Sequence, residues 1–214
     1  MEKFSLYNSL AILLPGSLPV FVLEILIKNS GNESLVTGSG FIDVAMLITA
    51  SVFCGVMIHI LSFKMLTVYK KIGIYTPICK IFKRSEYYAV MRDFFEEKCK
   101  ERFNFANDDE FCMDSNCDTF YDWMYYTLEV EDKIAVSKSF QSFYYFFRNF
   151  FTMALLIQML IFVYNVFYGC LVKQNIIIYS MLFILFFSWY AAVWYRKNMV
   201  RKVFWTYYVL RNNL

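Results

Sequence analysis

Two stretches of this chain contain no charged residue at all, residues 150–172 (FFTMALLIQMLIFVYNVFYGCLV) and 176–195 (IIIYSMLFILFFSWYAAVWY). A helix buried in a soluble core returns to polar positions every turn or two, because one of its faces meets water. These stretches do not, and each reaches the ~20 residues needed to cross about 30 Å of hydrocarbon. They predict two membrane-spanning helices. Composition agrees: 59% of residues are hydrophobic and 18% charged, against roughly 45–50% and about 25% in a soluble domain.

Two further spans are less uniform. Residues 41–63 carry Asp43 near one end and His59 near the other, from where a polar group reaches an interface or a protein interior. Burial of Asp at the bilayer centre would cost roughly 2.5–3.5 kcal/mol on insertion scales. Residues 4–27 hold one charge, Glu24, and are interrupted by Pro15-Gly16-Ser17-Leu18-Pro19. Two prolines four apart remove two amide donors, which predicts a kink or break and makes Pro15, Gly16 and Pro19 a candidate hinge. A cleaved signal peptide is the rival reading of this segment, with Lys3 before an apolar run. The run continues past the usual h-region length, however, and no small-x-small cleavage site follows it before Glu24.

Orientation follows from the 21 Lys and Arg residues. Thirteen fall in residues 64–148 and five in 196–211, against one in residues 28–40 (Lys28) and one in 173–175 (Lys173). Basic loops stay cytoplasmic. The expectation is an all-α, multi-pass protein of the plasma membrane with four spans in two hairpins and both termini cytoplasmic. A helical cytoplasmic insert, residues 64–149, lies between spans two and three, and residues 196–214 form a basic tail. The Lys173-Gln174-Asn175 link predicts a tight turn between spans three and four.

The insert holds 27 of the 39 charged residues together with many aromatics. Ser85 is a candidate N-cap for a helix to about Phe103, whose Tyr88, Met91, Phe95 and Cys99 share one stripe, with Glu96 and Lys100 spaced to pair. Residues 104–118 read as a loop. A second helix begins near Thr119 and runs, with a break near Glu131, into span three. About 86 residues in two or three helices make a small core, so packing between subunits is expected to complete it.

Catalytic patterns are missing. The chain has no Gly-x-Ser-x-Gly, His-Glu-x-x-His or Gly-x-x-x-x-Gly-Lys motif, and its one histidine, His59, sits in a span. An enzyme is therefore not expected, nor a cofactor; a lipid-acting enzyme would need His59 and a carboxylate from the insert. Cys79, Cys99, Cys112 and Cys117 fall in a reducing compartment, and Cys112-x4-Cys117 without a cytoplasmic histidine lacks the four ligands of structural zinc. The acidic residues Asp108, Asp109, Glu110, Asp114, Asp118 and Asp122 invite a calcium reading. Asp114-x-Asn116-x-Asp118 opens like an EF-hand loop, but Thr119 stands at the glycine position and Tyr125 at the closing glutamate.

Three patterns are candidate sites. Ser51, Gly55, His59 and Ser62 recur at helical spacing in span two. Such a stripe allows close helix packing, and it is also how a narrow pore wall or gate looks. Glu24 and Asp43 flank the exterior side and, repeated by cyclic symmetry, would form acidic rings. Lys64, Lys70, Lys71, Lys80, Lys83 and Arg84 follow span two, and Arg196, Lys197, Arg201 and Lys202 follow span four. Both groups suit lipid headgroups, or an anionic ligand such as a nucleotide or single strand stacked on Tyr69, Tyr75, Tyr87 or Tyr88.

The Gly55-x-x-x-His59-x-Leu61-Ser62 turn and the Phe146-Phe147-Arg148-Asn149-Phe150 run leading into span three, set in this layout, resemble the membrane effectors of bacterial antiphage systems. The similarity is to the membrane effector family of the Hailong system (HalB), with the four-span membrane subunit of the Kiwa system (KwaA) as a rival. The resemblance implies a tetrameric, channel-like effector of the bacterial inner membrane. It would depolarise the cell under control of a partner nucleotidyltransferase and its single-stranded DNA oligomers. The alternative is a membrane sensor or scaffold that binds a cytoplasmic protein and conducts nothing.

Overall fold

A computed structural model of the chain describes residues 6–29, 40–103, 112–168 and 175–212. Within them the chain is all-helical: α1 (Leu6–Asn29), α2 (Phe41–Lys64), α3 (Leu66–Lys71), α4 (Ile78–Lys83), α5 (Tyr88–Phe103), α6 (Cys112–Val130), α7 (Ala135–Tyr168) and α8 (Asn175–Asn212). Four of these, α1, α2, α7 and α8, are long and apolar enough to cross a membrane. Asp108, Asp109, Glu110 and the Lys173-Gln174 part of the expected turn lie outside the described residues.

The chain divides into two compact units, residues 1–74 with 142–192, and residues 75–141 with 193–214. In the first, α1 and α2 meet backbone to backbone. A Cβ on Gly16 would sit 1.9 Å from the Ser51 carbonyl oxygen, and one on Gly55 would sit 2.1 Å from that of Ile12. Only glycine fits at either point. In hydrocarbon such contact is the main source of helix affinity, since lipid is as apolar as the side chains it would displace. The face of α2 that carries Ile42, Met46, Phe53 and Met57 is exposed, whereas Ser51, Gly55, Ile58 and Ser62 are buried.

Pro15 and Pro19 do not break α1, which is one helix from Leu6 to Asn29. Proline removes a donor and crowds the preceding turn, but a transmembrane helix continues when other groups satisfy the freed carbonyls.

The second unit is built differently, on an aromatic core. The expected stripe of α5 is there: Met91, Phe95 and Cys99 are buried, and Tyr88 packs against them. Ser85 lies three residues before α5; its hydroxyl accepts from the Tyr87 amide at 3.3 Å and its carbonyl from the Tyr88 amide at 3.1 Å. Phe82, Phe95 and Phe204 form a triangle with ring centroids 4.4, 5.2 and 5.5 Å apart. Phe204 belongs to α8, as do the buried Met199, Val200, Val203 and Tyr207. The tail of the same chain thus fills the core that packing between subunits was expected to complete. Each such aromatic contributes roughly 1.5–3 kcal/mol on burial.

Residues 112–118, expected as a loop, are the first turns of α6. Cys117 at their end is 3% exposed, and Phe120, Met124 and Leu128 continue the buried stripe. The calcium-like spacing of Asp114, Asn116 and Asp118 is therefore wound on a helix. The break near Glu131 is present. The amide of Lys133 donates to the Leu128 carbonyl at 2.9 Å and that of Asp132 to the Glu129 carbonyl at 3.1 Å. This is a Schellman ending, with Asp132 at φ 54° where glycine is usual.

Candidate functional site

The polar groups of the first unit converge on α7 at Arg148, Asn149 and Thr152, all buried, with exposures of 1%, 0% and 0%. Asn149 is the hub. Its Nδ2 donates to the Ala11 carbonyl of α1 at 2.9 Å and lies 3.0 Å from His59 Nδ1; its Oδ1 accepts from the Ser62 hydroxyl at 2.9 Å. Ala11 is four residues before Pro15, so its carbonyl is the one that a residue-15 amide would serve if residue 15 were not proline. One side chain of α7 thus replaces the missing donor of α1 and holds two residues of α2. Thr152 repeats the scheme: its hydroxyl donates its one proton to the Arg148 carbonyl at 2.9 Å and accepts from the Tyr69 hydroxyl of α3.

Arg148 is the charged member. Its guanidinium carbon lies 4.0 Å from the Phe63 ring centroid, 4.8 Å from that of Tyr145 and 5.5 Å from that of Tyr144, while Nε and Nη2 meet no acceptor among the described residues. Contacts over aromatic faces contribute roughly 0.5–2 kcal/mol each. Burying a guanidinium costs several kcal/mol. The cage offsets that cost in part, and arginine cannot escape it by losing its proton.

The four residues of the α2 stripe have different surroundings. Ser51 bonds to the Leu47 carbonyl at 2.7 Å and, with Gly55, packs on α1. Ser62 is fully buried at Asn149, and His59 is half-buried, edge-on to Phe63 at 4.9 Å and to Tyr145 at 6.1 Å. These neighbours bring no carboxylate to His59. Glu24 pairs with Lys28 at 3.3 Å, and Asp43 sits half-buried in the first turn of α2.

The basic residues do not act alike. Lys64, Lys70 and Lys71 are exposed in the first unit; Lys80, Lys83, Arg84, Lys197 and Lys202 are exposed in the second. Arg196 is 5% exposed, donates from Nε to the Thr76 carbonyl at 3.2 Å and lies 3.8 Å over the Tyr75 ring. It ties α8 to the segment just before α4. Among the tyrosines expected to stack a ligand, Tyr69 is fully buried, Tyr75 lies under Arg196, and Tyr88 packs edge-on to Phe82 at 5.1 Å. Tyr87 remains at the surface, 4.7 Å from Trp205.

Arg148 and Asn149 were quoted in the sequence only as part of a resemblance. The signal that points to Asn149 is Pro15 itself, since a carbonyl freed inside hydrocarbon must find a donor elsewhere.

These features define a multi-pass membrane protein with four candidate spans and a buried polar cluster inside one unit. No protein-family model, curated protein or solved structure matches the chain.

Proposed function

We propose that the chain is a subunit of an oligomeric, channel-forming membrane effector of the bacterial antiphage class, closed in the arrangement described. A cytoplasmic ligand or partner, such as a DNA oligomer, would control its release, and opening would depolarise the membrane. The observation that carries this reading is Arg148, a buried guanidinium whose Nε and Nη2 have no acceptor among the described residues, in a helix of membrane-spanning composition. Arg148 stands two residues before the uncharged run 150–172, at the entry to span three, and an ionisable group buried at that position is a functional candidate. The charge disfavours the closed packing, Asn149 favours it, and their balance makes the α1–α2–α7 contact a two-state element.

Opposite effects are therefore expected from neighbouring substitutions. In cells loaded with a potential-sensitive dye, N149A should depolarise at lower expression than the unaltered protein, and R148M should require more. His59→Leu should abolish or lock conductance if the stripe faces water in the open state. The channel reading fails if N149A reaches the membrane in normal amount and leaves the potential intact.

A second reading, a non-conducting sensor or scaffold, is favoured by the inward turn of Ser51 and Ser62 and the apolar outer face of α2. Co-purification of a stoichiometric cytoplasmic partner, with no ion flux in proteoliposomes, would support it.

A further inference from the structure

A small cavity of about 130 Å³ in the second unit is lined by Glu86, Tyr87, Asn198, Arg201, Lys202 and Trp205. Its chemistry is divided. Arg201 and Lys202 supply two cations, and the buried Nε of Arg201 has no hydrogen-bond partner among the described residues. Glu86 supplies a carboxylate, and among the described residues neither it nor the two cations form an ion pair. Tyr87 and Trp205 stand with ring centroids 4.7 Å apart, tilted by 38°, and form an aromatic wall.

Size limits the occupant. Pockets for whole small molecules run to about 300–1,000 Å³, so this cavity takes a phosphate ester and a short substituent, not a base with its sugar. Charge limits it further. A simple anion would satisfy Arg201 and Lys202 but face Glu86; a molecule carrying both a phosphate and an amine satisfies all three. The phosphate takes charge-assisted bonds from Arg201 and Lys202, and the ammonium meets Glu86 and the faces of Tyr87 and Trp205.

Position supplies the source. Asn198, Arg201, Lys202 and Trp205 are spaced i, i+3, i+4 and i+7 on α8, the continuous helix that contains the uncharged run 176–195. At 1.5 Å per residue, Asn198 to Lys202 lie about 5 to 10 Å beyond Tyr195. The headgroup layer occupies roughly 5–7 Å on each side of the hydrocarbon. We infer that this cavity binds the headgroup of a zwitterionic phospholipid of the phosphoethanolamine type, phosphate to Arg201 and Lys202 and ammonium to Glu86. The inference is independent of whether the protein conducts.

Purified full-length chain in detergent tests it by thermal unfolding against four probes. These are dihexanoyl phosphatidylethanolamine, dihexanoyl phosphatidylglycerol, free phosphoethanolamine and inorganic phosphate. The ethanolamine lipid should raise Tm with an apparent affinity at least tenfold tighter than the glycerol lipid, and free phosphoethanolamine should follow in the same order over inorganic phosphate. E86Q should erase the preference between the two lipids, and R201Q should weaken both about tenfold. K202Q, at an exposed position, provides the phosphate test if R201Q does not fold. Equal binding of the two lipids, or a preference that survives E86Q, overturns the assignment. A shift by inorganic phosphate as large as that by phosphoethanolamine reduces the site to an anion site and also overturns it. If free phosphoethanolamine matches the lipid, a soluble phosphate ester and not the bilayer is the source.

Discussion

Replacing Asn149 by alanine should destabilise the first unit by an amount that depends on what stands at residue 15. The substitution removes the donor to the Ala11 carbonyl, the contact with His59 and the acceptor for Ser62, all at 2.9–3.0 Å. A hydrogen bond contributes roughly 0.5–1.5 kcal/mol net, and a buried group left without a partner costs about 1–3 kcal/mol. In a bilayer measured couplings are smaller, averaging about 0.6 kcal/mol with a maximum near 1.7. A loss of about 2–4 kcal/mol is therefore expected, of which the orphaned Ala11 carbonyl accounts for about 1–2. Pro15→Ala restores an amide four residues beyond Ala11, which can close the helical bond. In the P15A background N149A should cost about 1 kcal/mol less than in the unaltered chain, a coupling between two residues 134 positions apart, since 149 − 15 = 134. The four proteins can be compared by SDS titration in mixed micelles, followed by near-UV circular dichroism. Strictly additive costs, within about 0.3–0.5 kcal/mol, would refute the idea that Asn149 substitutes for the proline's missing donor.

Gly55→Ala should force α1 and α2 apart at a cost above about 2 kcal/mol, because the clash is with the Ile12 backbone; Gly40→Ala, with nothing within 4 Å, is the control and should leave the same SDS midpoint unchanged. Asp132→Gly should stabilise the second unit by about 0.5–1 kcal/mol, read as a higher Tm, since residue 132 has φ 54°. Burial, and then the Asp118 carboxylate one turn away, raises the Asp122 carboxyl above its ordinary value. The folded chain then binds more protons there than the unfolded one, so this group makes stability fall as pH rises from the usual aspartate range to the raised one. Asp122→Asn should therefore raise Tm at pH 7, by the equivalent of about 0.2–0.5 kcal/mol, and not at pH 3; an equal gain at both would exclude the electrostatic cause.

The candidate spans were legible because hydrocarbon imposes a length and a composition that a soluble core does not, and α1, α2, α7 and α8 fall on the described parts of the four apolar runs. The α5 stripe and the break near Glu131 were legible from periodicity and charge. The core partner of α5 was not. Met199, Val200, Val203, Phe204 and Tyr207 form an apolar face at helical spacing, but Arg196 at the head of that face and Lys197, Arg201 and Lys202 on the others made the segment read as a basic tail. Tyr69 misled for a similar reason. A tyrosine among lysines resembles a stacking platform, and only the tertiary fold shows its hydroxyl held by Thr152. In the α2 stripe the residue types were right for close packing, while the group that organises them, Asn149, lay on another helix.

The arrangement of the aromatic core also fixes when it can form. Phe82 and Phe95 meet Phe204 only after more than a hundred further residues have been joined to the chain. At about 5–20 residues per second, synthesis takes several seconds or more to supply the missing face. Until then the apolar stripes of α5 and α6 have only each other and Phe82 of α4 to pack against. The core of the second unit therefore closes only at the end of synthesis, and loss of residues after about 198 would leave it without Met199, Val200, Val203, Phe204 and Tyr207 and more open to proteolysis.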